Sequence, residues 1–176
     1  MNLILLPGNS PHNKEWIEKI ELKLRSLFDE TYVYHYKHWM TGERIIDINY
    51  ELSNLRGKIK YDNYIIFAKS VGIALAIKGV KEKKLKPEGC IFLGTPIYWA
   101  REHNISLDFW IKNYYVSSLF IQNSKDPAIA AADLKKFLID KKVRNYEFYE
   151  FENKSHDYED IEKIRELVLN FSKPRK

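Results

Sequence analysis

The chain has 176 residues, 45% hydrophobic, 14% aromatic and 30% charged, which is enough apolar material for one substantial core and excludes intrinsic disorder. Lys and Arg number 29 against 24 Asp and Glu, a net charge of +5, yet the signs are interspersed. The basic runs at 81–86 and 173–176 carry no alternating aromatics, so no nucleic-acid partner is expected. Cys90 is the only cysteine, which excludes an internal disulfide, a zinc knuckle and a CxxC redox pair and fits a reducing, cytoplasmic location.

Residues 3–6 are a continuous apolar run ended by Pro7-Gly8, the mark of a strand buried on both faces. With no basic segment before it and no small-residue cleavage site after it, the run does not read as a secretion signal. Over 13–28 the positions Trp16, Ile17, Ile20, Leu22, Leu24, Leu27 and Phe28 recur at roughly helical spacing. Residues 31–36 alternate β-branched and aromatic side chains as a strand does, and 45–55 returns to a helical pattern. The same grammar then gives strands at 63–68, 89–93, 116–122 and 146–151, and helices at 71–80, 105–114, 128–139 and 158–171. An aromatic stretch follows Gly94-Thr95-Pro96. No apolar run approaches the ~20 residues that cross a bilayer, so no membrane partner is expected.

Six apolar strands alternating with helices predict an α/β fold, a three-layer αβα sandwich around a mainly parallel six-stranded sheet with right-handed crossovers. One domain, 1–176, accounts for the chain. Its elements consume nearly all the residues, so a separate lid is not expected and the site should be shallow and open.

In such a sheet ligands bind beyond the carboxyl ends of the strands, so the segments following each strand are where chemistry is sought. Ala68-Lys69-Ser70-Val71-Gly72 lies between a strand and a helix, the setting of a nucleophile elbow, although a plain serine N-cap is the simpler reading of the pentapeptide alone. Asp126 and His156 follow in that order, each just past a strand. Ser-Asp-His is the chain order of this hydrolase architecture: His156 as base takes the Ser70 proton and Asp126 orients the imidazole. Asp126 before Pro127 could instead open a helix, and His156 could be an exposed loop residue.

These residues, with Leu5-Leu6-Pro7-Gly8-Asn9, the loop Asn123-Ser124-Lys125-Asp126-Pro127 and Ser155-His156, make the chain similar to small, lidless α/β-hydrolases, closest in pattern to the retinoblastoma-binding-type serine hydrolases and their bacterial relatives. Ala68 departs from the usual glycine but remains small. The resemblance implies a serine hydrolase acting on a small ester, thioester or amide, with an oxyanion hole formed by the Val71 N–H and an N–H from the loop at Asn9 or Ser10. It also admits a second class, a hydrolase-like module that binds a protein partner without turnover.

Trp99 and Tyr98, after the fourth strand, are candidates for the wall of an acyl pocket, and Trp39 with Met40 for core beneath a loop. Lys69, beside the serine and directed to solvent or the pocket mouth, would favour an acidic substrate. His35 and His38 have metal-like spacing but no accompanying ligand cluster, so no metal is expected. Neither GxGxxG nor a Walker A motif occurs, so no nucleotide cofactor is expected.

Overall fold

The computed structural model describes residues 1–173; Pro174, Arg175 and Lys176 of the terminal basic run lie outside the described residues. The chain runs β1 (Asn2–Leu6), α1 (Asn13–Leu24), β2 (Thr31–Val33), α2 (His38–Thr41), α3 (Ile48–Lys58), β3 (Tyr64–Lys69) and α4 (Val71–Lys81). It continues through β4 (Gly89–Leu93), α5 (Ile97–Glu102), α6 (Leu107–Trp110), β5 (Ser118–Asn123), α7 (Ala131–Asp140), β6 (Tyr146–Phe151) and α8 (Ile161–Ser172). The six strands form one sheet in the order β2-β1-β3-β4-β5-β6, and every neighbouring pair is parallel. No helix among the described residues is long and apolar enough to cross a membrane.

Side chains alternate across a strand, and the two faces of this sheet are apolar in turn. Leu3, Leu5, Ile65, Phe67, Ile91 and Leu93 face Ile17, Ile20 and Leu24 of α1 and Ile164 and Val168 of α8. Ile4, Leu6, Ile66, Ala68 and Phe92 face the other layer, which takes in α3, α4, α6 and α7. Both faces of the central strands are covered, which is why they read as unbroken apolar runs. The crossover from β1 to β2 runs one way along the sheet and all later growth the other, so the strand order reverses between β1 and β3 and opens a crevice at their carboxyl ends.

Where the elements depart from the sequence pattern, the causes are local. The strand expected over 31–36 pairs only through Thr31–Val33, with one more ladder bond from Tyr34 N to Leu5 O at 2.9 Å. Beyond it Tyr34 and Tyr36 turn fully inward: the Tyr34 hydroxyl donates to the buried Glu51 carboxylate and the Tyr36 hydroxyl to Pro7 O at 2.8 Å. The helix expected over 45–55 starts at Ile48 because the Asp47 carboxylate caps it, accepting from Asn49 N and Tyr50 N at 3.0 Å each. Of the helix expected over 105–114 only α6 forms, and a further short helix, α5, precedes it, the two separated where Asn104 takes a left-handed φ of 54°. The aromatic stretch before it is therefore helical.

α4 packs closely against the end of β1. A Cβ on Gly72 would sit 2.5 Å from Leu6 O and 2.8 Å from Pro7 O, both fixed backbone atoms. Gly72→Ala is expected to lower unfolding free energy by roughly 1–3 kcal/mol in urea titration, because backbone must move to admit the methyl group; an unchanged midpoint would contradict the contact. Cys90 is wholly buried, its thiol pushed up to about 12 by burial. It should resist a thiol-exchange reagent at pH 8 in the native protein and react fully once the chain is unfolded in urea.

Candidate active site

β3 ends at Lys69 and the next residue turns sharply: Ser70 has φ 51° and ψ −121°, a conformation costing a non-glycine residue roughly 1–3 kcal/mol. The turn is held by Ser70 N donating to Leu93 O and Ile73 N donating to Ser70 O, each at 2.9 Å. Ser70 makes no side-chain capping bond to α4, so it is not an ordinary helix cap, and its half-buried hydroxyl is left to the crevice. Ala68 is fully buried under the turn. Val71 opens α4, and its N–H belongs to the first turn of that helix, where the dipole is positive.

Across the crevice, the loop after β1 is pinned at Asn9. Its carbonyl accepts from His38 Nε2 at 2.8 Å and Trp39 Nε1 at 2.7 Å, its side-chain nitrogen donates to Arg44 O at 2.8 Å, and its side-chain oxygen accepts from Ile46 N at 3.0 Å. A peptide is planar and trans, so fixing the Asn9 carbonyl toward α2 turns the Ser10 N–H the opposite way. No sequence pattern marks this clamp, because His38 and Trp39 read only as a metal-like spacing and a core aromatic.

The third component comes from the loops after β5 and β6. The Asp126 side chain is fully buried and accepts from Ala128 N at 2.8 Å, from the Tyr158 hydroxyl at 2.8 Å and from His156 Nδ1, which lies 2.9 Å from each carboxylate oxygen. A carboxylate can only accept there, so Nδ1 carries the proton and the neutral ring has its lone pair on Nε2. Burial, and then the Asp126 charge, push the Tyr158 hydroxyl far above its ordinary range, which keeps it a donor. The buried Asn123 amide donates at 2.9 Å to the carbonyls of both Ser155 and Asp157, the residues flanking His156. Gly94 clears space for the ring: a Cβ there would meet His156 Cε1 at 2.7 Å. Tyr158, Asn123 and Gly94 escape sequence reasoning because nothing in their spacing marks them as supports.

Ser70, His156, Asn9, Ser10, Asn13, Lys69 and Trp99 line one cavity of about 230 Å³. A larger cavity of about 550 Å³ lies near Glu30 and Tyr61, away from these side chains, so chemistry and not size selects the site. No hydrogen bond joins the Ser70 hydroxyl to His156 Nε2 among the described residues; such contacts are commonly loose until substrate is bound. Trp99 is braced by His103, whose ring stacks on it at 4.3 Å between centroids. Tyr98 is exposed and lines no part of the cavity: residues 98 and 99 are successive on α5, so their side chains diverge by about 100° and only one can face inward. Lys69 does not run to solvent. It folds inward and is only 6% exposed, its ammonium lying over the Trp16 ring. His35 faces Glu18 at 3.5 Å, His38 is committed to Asn9, and among the described residues no group of three or more His, Cys, Asp or Glu could hold a metal ion.

No protein-family model matches the chain, and no curated protein does. Solved structures do. An uncharacterized protein from Bacillus cereus is 17% identical, with a TM-score of 0.72 over 97% of this chain; the chain spans 59% of that protein's length. An alpha-beta serine hydrolase homologue from Coxiella burnetii is also 17% identical, with a TM-score of 0.73 over 98% of this chain and 85% of the other. An esterase from Pyrococcus furiosus is 14% identical, with a TM-score of 0.68 over 97% of this chain and 80% of the other. Together with the six-stranded parallel sheet and its flanking helices, these likenesses establish that the chain has the α/β-hydrolase fold.

Proposed function

We propose that the chain is a serine hydrolase that cleaves a small ester, thioester or amide through an acyl-enzyme on Ser70. The observation that carries the reading is one small cavity shared by a strained, uncapped serine and a histidine whose far nitrogen is held by a buried carboxylate.

In this reading the Ser70 oxygen attacks the substrate carbonyl while His156 Nε2 takes the hydroxyl proton. Asp126 keeps the ring in the tautomer that can do this and stabilises the imidazolium that forms. The carbonyl oxygen becomes an oxyanion facing the Val71 N–H and an N–H of the Asn9–Ser10 turn, with the α4 dipole adding in the same sense. The imidazolium returns its proton to the leaving alkoxide, thiolate or amine, the C–O, C–S or C–N bond breaks, and the acyl group remains on Ser70. Water, deprotonated by the same Nε2, then attacks the acyl-enzyme and releases the acid and the free serine.

A fluorophosphonate probe should label the wild-type protein on Ser70 and leave Ser70→Ala unlabelled; no adduct, or an adduct that persists in the variant, would overturn the reading. His156→Ala should lower kcat for p-nitrophenyl butyrate by roughly 10²–10⁴-fold. Steady turnover that survives this change would exclude His156 as the base, and no turnover by the wild type would favour the protein-binding alternative. Trp39→Phe removes one of the two donors that aim the Asn9–Ser10 peptide. It should reduce kcat a few-fold to about tenfold with KM little changed, and an effect on KM alone would place Trp39 outside this role.

A further inference from the structure

Lys69 is a buried cation without a contact counter-ion. Its ammonium donates to the Asn13 side-chain oxygen at 2.9 Å and sits 4.8 Å from the centre of the Trp16 ring, two partners that carry no charge. No salt bridge to Lys69 forms among the described residues. An ammonium has three N–H groups; the amide oxygen takes one and the ring face attracts a second, so donor capacity remains on the side of the cavity that Lys69 lines.

The surroundings make that capacity selective. No carboxylate lines the cavity, and the nearest acidic groups are otherwise placed: Asp126 is committed to His156, Tyr158 and Ala128, and Asp157 is exposed. Burial lowers the Lys69 pKa from its ordinary value, opposed by the more distant charges of Asp157 and Asp126. A buried charge held by neutral groups alone is unfavourable, and an anion arriving in the cavity would relieve it. Trp99 supplies an apolar wall in the same small space, suited to a short run of methylenes.

We propose that Lys69 is a specificity residue that receives a carboxylate on the acyl group, so that the substrates are half-esters, half-thioesters or half-amides of short dicarboxylic acids. This rests on the hydrolase reading, in which the acyl carbonyl lies at Ser70, one residue from Lys69. The matched comparison is a succinyl against a butyryl group, alike in chain length and differing in the terminal carboxylate.

Binding can be read without turnover. In Ser70→Ala protein, which cannot form an acyl-enzyme, monomethyl succinate and methyl butyrate are titrated by NMR at neutral pH. The succinate half-ester should saturate at roughly ten- to hundredfold lower concentration, the range of a hydrogen bond to a charged group. Adding Lys69→Met should abolish the difference, and adding Lys69→Arg should retain it. Equal saturation by the two ligands, binding of neither, or a preference that survives Lys69→Met would overturn the assignment, and the first two outcomes need no Lys69 variant to fold. Hydrolysis of p-nitrophenyl succinate and butyrate by the wild type is scored separately. Turnover of both with equal kcat/KM defeats the specificity and leaves the hydrolase reading standing, whereas absence of turnover defeats the hydrolase reading and leaves the carboxylate site to the binding result.

Discussion

The approach of α4 to the end of β1, with Gly72 against the carbonyls of Leu6 and Pro7, is the constraint on which the rest of the site depends. It brings the loop after β1 and the turn after β3 to within contact at the point where the strand order reverses. A larger residue would push the helix away and open that gap. The strain at Ser70 follows from the same demand, since the chain must leave a central strand and enter a helix without crossing the space occupied by Leu6 and Pro7. Such strain persists only where surrounding structure overrides it, and here it is opposed by the ladder bond to Leu93 and by an α4 buried along nearly its whole length.

Two buried charges flank the cavity, and they are treated oppositely. Asp126 is saturated, with a backbone N–H, a hydroxyl and an imidazole all donating to it. Its desolvation cost is offset within the fold, and the result is a rigid histidine. Lys69 has only an amide oxygen and an indole face. The contrast separates a group whose partners are complete from one whose partners are not, a distinction invisible in residue type alone. The His38 ring is likewise only half engaged: its Nε2 donates to the Asn9 carbonyl while its buried Nδ1 has no partner among the described residues.

Strands buried on both faces were the most legible part of the molecule, because β1, β3 and β4 read as nearly unbroken apolar runs, with proline after β1 and glycine after β4 marking two of the ends. The order of Ser70, Asp126 and His156 along the chain was legible for a related reason: strand ends are fixed by periodicity, and residues following them are automatically at one edge of a parallel sheet. Side-chain direction was less so. Tyr98 and Trp99 are both aromatic and adjacent, and which of them faces inward depends on the phase of α5, a helix too short to show a period. For Lys69 the sequence left solvent and pocket mouth both open, because Trp16, the ring beneath its ammonium, is far away in sequence. The clamp on Asn9 joins residues about 30 apart through a short helix, α2, that has too few residues to carry a pattern.

The Trp16 indole donates to the Tyr158 carbonyl at 2.8 Å across 142 residues of chain, tying α1 to the segment that leads into α8. The same Trp16 lies under Lys69, and the same Tyr158 donates to Asp126. The turn at Ser70 is thus complete once β1, β3 and β4 have paired, whereas His156 arrives only with the last crossover, when the segment before α8 meets α1. Contacts of such long sequence separation form late and slowly because loop closure must precede any gain from them. During synthesis Ser70 is therefore present without His156 until the final segment docks, and the cavity the two share becomes a property of the finished fold alone.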